Sequence, residues 1–90
     1  MKLKGEFLVR EVAGEIVVLP VGRTALNFNG MICLNTVSAL IWKELQEGKT
    51  RDEIVKTIVD EFEVSHTEAA EDLDSFLQQL LDNDLLEASI

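Results

Sequence analysis

Cysteine, histidine, proline and tryptophan each occur once in this chain, and tyrosine not at all. With Cys33 alone there is no disulfide framework of the kind that staples small secreted domains, so cytoplasmic residence is the default expectation. One histidine and one cysteine cannot supply the clustered ligands of a zinc site, nor does either stand beside a partner suited to nucleophilic catalysis. His66 reads as a first-turn surface residue of a helix, and Cys33 as a small packing residue in an apolar strand. No run of about 18 apolar residues exists to span a membrane. The opening stretch Met1-Lys2-Leu3-Lys4-Gly5-Glu6 lacks the apolar run and cleavage pattern of a signal peptide. Phosphate loops, GxGxxG and zinc spacings are also missing. No catalytic residue, metal ligand or cofactor is expected.

Bases are scarce as well. Eight Lys and Arg face 17 Asp and Glu, for a formal net charge of −9. No Lys or Arg follows Lys56, whereas Asp60, Glu61, Glu63, Glu68, Glu71, Asp72, Asp74, Asp82, Asp84 and Glu87 do. The C-terminal third therefore repels phosphate. At 90 residues, 47% of them hydrophobic, the chain has material for one ordered domain, read here as 1–90.

The first third has the residue types of strands. Phe7-Leu8-Val9-Arg10-Glu11-Val12, a turn at Ala13-Gly14 and Glu15-Ile16-Val17-Val18-Leu19 read as a hairpin stopped by Pro20 and Gly22. Thr24 to Phe28 and Met31 to Leu34 read as two further short strands, with Asn29-Gly30 as a type I′ turn between them.

From Asn35 the apolar period lengthens to about 3.6. Asn35 caps a helix with an apolar face of Val37, Leu40, Ile41 and Leu45, Trp42 at its margin and Gly48 at its end. Thr50-Arg51-Asp52-Glu53 is a capping box for a second helix bearing Ile54, Val55, Ile58, Val59 and Phe62. Ser65-His66-Thr67-Glu68 is another, opening a third helix that carries Ala69, Ala70, Leu73, Phe76, Leu77, Leu80 and Leu81 over an arc of about 140°. Leu85-Leu86 then folds back to the core. The expected fold is α+β and winged-helix-like: a small antiparallel sheet followed by three α-helices.

Two functions that such a fold suggests are excluded by the residues. A winged-helix DNA reader would present its third helix to phosphates, and that helix offers Glu68, Glu71, Asp72 and Asp74 without a base. Asp74-Ser75-Phe76 is faintly similar to the Asp-Ser-Leu of acyl carrier proteins, but Ser75 lies inside a helix and the chain opens with strands.

Leu34-Asn35, then Ile41-Trp42, Gly48, Thr50 and Glu53-Ile54, then Leu73, Leu77, Leu80 and Leu85-Leu86 occur in an order and spacing that resembles the PqqD family, from about Phe7 to Glu87. Where that family often has Thr-Gly in the first helix, this chain has Val37-Ser38. The resemblance implies a three-stranded antiparallel sheet packed on three helices. It implies a non-catalytic peptide chaperone, or recognition element, for ribosomally made peptides. A precursor (leader) peptide would add as a strand beside Met31, Ile32, Cys33 and Leu34, in a groove with a helix face drawn from Ala70, Leu73, Asp74, Leu77 and Leu81. The peptide would then pass to a modifying enzyme, often a radical S-adenosylmethionine (SAM) protein.

The residues support that mode independently. An edge strand has unpaired N–H and C=O groups that an extended peptide can join. Glu71, Asp74 and Asp82 would flank the groove and favour a leader with Lys or Arg near its anchors. The same edge would let two copies pair along 31–34, or exchange N-terminal strands, into a homodimer. The alternative function is a structural or regulatory interaction subunit with the same fold and another partner. Neither nucleic acid nor membrane is an expected partner.

Overall fold

Residues 2–27 and 30–87 are described by a computed structural model of the chain. The element order is β1 (Lys2–Leu3), β2 (Phe7–Val12), β3 (Glu15–Pro20), α1 (Thr24–Asn27), β4 (Ile32–Leu34), α2 (Thr36–Gln46), α3 (Arg51–Phe62), α4 (His66–Asp82) and β5 (Leu86–Glu87). An antiparallel three-stranded sheet in the order β2-β3-β4 packs against α2, α3 and α4, so the α+β class and the main architecture agree with the sequence reading.

The β2–β3 hairpin turns on Ala13 and Gly14, whose φ values of 52° and 83° are both left-handed. Val12 pairs with Glu15 across this two-residue loop, as a type I′ turn requires. In β4, Leu34, Cys33 and Ile32 pair with Ile16, Val17 and Val18 of β3. Successive strand residues point to opposite faces. Ile32, Leu34 and Val18 thus enter the core, while Cys33 is exposed, contrary to the packing role expected for it.

The strand expected over 24–28 does not form at its described residues, 24–27. Thr24–Asn27 is one helical turn, held by Ala25 N–H to Gly22 O at 3.2 Å and Leu26 N–H to Arg23 O at 3.1 Å. The Thr24 hydroxyl also accepts a bond from the Glu6 amide at 2.7 Å, which fixes the turn against the chain before β2. These bonds, two within the turn and one to a residue 18 positions away, outweigh a weak β preference. Phe28, the last residue of that expected strand, and Asn29 of the expected Asn-Gly turn lie outside the described residues.

Helix starts follow the capping chemistry. Asn35 Oδ1 accepts from the Ser38 amide at 2.8 Å, and Ser38 Oγ accepts from the Asn35 amide at 2.9 Å. Thr50 and Glu53 make the reciprocal pair at α3, through bonds of 3.2 and 2.9 Å. At α4 only one half is made: Ser65 Oγ accepts from the Glu68 amide at 3.1 Å.

The core joins Val18, Ile32 and Leu34 of the sheet to Ile41, Trp42 and Leu45 of α2, Ile54, Val55 and Ile58 of α3, and Ala69, Leu73, Phe76, Leu77 and Leu80 of α4. Trp42 is buried instead of marginal, edge-to-face with Phe7 at 5.1 Å between ring centroids. Leu85 and Leu86 fold back into the core as expected. There Leu86–Glu87 pairs antiparallel with Lys2–Leu3, a second, two-stranded sheet with no sequence signal of its own. The Lys4 amide donates to Leu85 O, and Lys4 Nζ meets Asp84 Oδ1, both at 2.8 Å.

Candidate functional site

β4 ends the sheet order, so one side of its backbone has no strand partner among the described residues. Beside it lies an open cleft of about 370 Å³. One wall is Cys33 of β4 with Asn35, Val37, Ser38 and Ile41 at the start of α2; the other is Asp72, Ser75, Phe76 and Gln79 of α4. Val37, Ile41 and Phe76 are its apolar surfaces. Asn35 and Ser38 spend polar groups on each other in the α2 cap.

The helix wall has a simple origin. At about 100° per residue, positions 72, 75, 76 and 79 share one face of α4, on one margin of the buried arc centred on Leu73 and Leu80. Ala70, Asp74, Leu77 and Leu81 share the other margin. That second margin is tied to α3: Arg51 Nε and Nη2 donate to the two carboxylate oxygens of Asp74 at 2.9 and 2.8 Å. The hydrogen bonds from Arg51, and then its charge, hold the Asp74 carboxyl below the usual carboxylate range.

The residues expected to surround a peptide are therefore only partly together. Cys33 lines the cleft. Ile32 and Leu34 point to the core, leaving their backbone as what they offer, and Met31, exposed, precedes the strand. Ala70, Leu73, Asp74, Leu77 and Leu81 do not line this cleft: Leu73 is fully buried, and the others stand on or towards the α3 margin. This cleft borders the margin of the arc opposite to Ala70, Asp74, Leu77 and Leu81, and periodicity alone leaves the two margins equivalent. In the structure Arg51, the first residue of α3, pairs with Asp74 and so marks the margin that faces α3.

The Arg51–Asp74 pair carries a pH dependence. A carboxyl whose folded pKa is lowered binds fewer protons folded than unfolded, so its contribution is present above the unfolded pKa and fades as pH falls through the folded one. Wild type should exceed Asp74→Asn in denaturation midpoint near neutral pH, with the gap closing in acid. A gap that widens in acid would contradict the assignment. The difference should be small, because both side chains are about half exposed.

An open-edged antiparallel sheet with a cleft between its last strand and a long amphipathic helix defines a recognition module, with no converging group of three or more metal-ligating side chains among the described residues. Residues 15–86 match the PqqD family, described as coenzyme PQQ synthesis protein D, and the chain belongs to that family. It is a recognition-element fold and not an enzyme. Among solved structures it is similar to TbiB1 in complex with the TbiA(beta) leader peptide, at 30% identity and a TM-score of 0.78, over 100% of this chain and 99% of that one. It is also similar in fold to lasso peptide synthetase B1 complexed with the leader peptide, at 23% identity and a TM-score of 0.76, over 97% and 96%. No curated protein matches the chain. Among the described residues no helix is long and apolar enough to cross a membrane.

Proposed function

We propose that this chain binds the leader segment of a precursor peptide by strand addition to β4 and presents it to a peptide-modifying enzyme. The observation that carries the reading is the free edge of β4 opening onto the cleft with α4, in a chain similar along its whole length to a leader-peptide complex. Main-chain bonds to Ile32–Leu34 supply affinity that is indifferent to sequence, and side chains entering the cleft supply selection. The chain holds and hands over; the chemistry belongs to its partner. A radical SAM protein is the kind of partner that the family resemblance suggests.

Cys33 makes the test direct, being the sole cysteine, exposed, and in the cleft wall. A bound leader should slow its alkylation and shift backbone amides of 31–35 and 72–79, leaving 51–62 almost silent. A peptide that binds, leaves the alkylation rate unchanged and shifts 51–62 would place the site elsewhere.

A further inference from the structure

Asp72 is the one formally charged side chain among the cleft's lining residues. The ion pairs among the described residues are Lys4–Asp84 and Arg51–Asp74, so Asp72 has none. Glu68 lies one turn before it and Glu71 beside it, with no base after Lys56 to offset them. A carboxylate in a cleft between low-dielectric protein walls attracts cations more strongly than one on an open surface.

Phe76, on the cleft's apolar surface, is one helical turn beyond Asp72, about 6 Å along the axis. In an extended peptide, side chains on the same face are two residues and about 6.8 Å apart. A strand that follows the cleft along α4 can therefore set an apolar side chain over Phe76 and a second side chain beside Asp72.

We propose that Asp72 makes the cleft select a leader with Lys or Arg two residues from an apolar anchor, so that the sequence read here is a basic–apolar pair at i, i+2. This rests on the strand-addition reading and adds the charge of the occupant. It moves the acidic selectivity from Asp74, which Arg51 occupies, to Asp72.

The test is selection from a random peptide library on the wild-type chain and on Asp72→Lys, each checked for folding by circular dichroism. Asp72 is exposed and unpaired, so the variant should fold. Wild-type binders should shield Cys33 from alkylation and carry Lys or Arg two residues from an apolar residue. Binders of Asp72→Lys should carry Asp or Glu there. A wild-type binder should lose about tenfold in affinity on the charge reversal, and also weaken as salt rises. Binders that shield Cys33 but show no charge preference, or the same preference on both chains, would overturn the role of Asp72 and leave strand addition standing. Binders that leave Cys33 unshielded, or no enriched binder at all, would overturn both.

Discussion

Leu73→Ala should lower stability by about 2–5 kcal/mol, the range for truncating a fully buried leucine. Leu73 has no exposed surface and sits at the centre of the α4 arc, between sheet and helices. A small domain has only about 5–15 kcal/mol in total, so this one cavity removes a large share. Two companions on the same helix calibrate the result. Leu81, 38% exposed on the α3 margin, should lose under about 1 kcal/mol when replaced by alanine. Asp74→Ala should also cost up to about 1 kcal/mol, since an exposed ion pair contributes little. Urea denaturation of the three variants measures this ordering. Equal losses for Leu73→Ala and Leu81→Ala would mean that α4 is rotated from the orientation that places Asp72 and Phe76 at the cleft.

Features set by neighbouring residues were legible in the sequence. Ala13-Gly14 turns a hairpin because Gly14 takes positive φ freely and the two-residue loop between paired strands holds Ala13 there as well, and Asn35 and Thr50 cap helices because their oxygens reach amides three residues on. Features set by distant partners were not. Two-residue strands at Lys2–Leu3 and Leu86–Glu87 carry no pattern, and each exists through the other. Thr24–Asn27 follows the Thr24 bond to Glu6, 18 residues away in the chain. For the candidate cleft, the strand and the helix that border it are those the sequence points to, but the side of the helix that faces it depends on where α3 packs. Periodicity fixes the centre of the arc at Leu73 and leaves its two margins equivalent. Val37-Ser38, a departure from the family pattern, proves to belong to the cleft wall, and Ser38 also completes the α2 cap.

Ser75→Trp should reduce binding of a peptide selected on the wild-type chain by at least about tenfold, or 1.4 kcal/mol. Ser75 lines the cleft between Asp72 and Gln79 and is exposed, so its side chain can be enlarged without disturbing the core. An indole there can cover about 150–250 Å² of neighbouring surface. The nearest apolar surface is that of Val37, Ile41 and Phe76, which the peptide's anchor would otherwise occupy. Stability should stay within about 0.5 kcal/mol of wild type, as for most exposed substitutions, or rise slightly as the indole packs down. Ser75→Ala separates occlusion from loss of the hydroxyl: it empties the same position and should leave binding near the wild-type value. Loss of affinity through slower association alone would point to charge or steering, whereas a blocked cleft should also speed dissociation of whatever still binds. Titration calorimetry with both variants and stopped-flow measurement of the tryptophan variant make these comparisons. A folded Ser75→Trp chain that binds the selected peptide as tightly as wild type would show that the peptide does not run between β4 and α4.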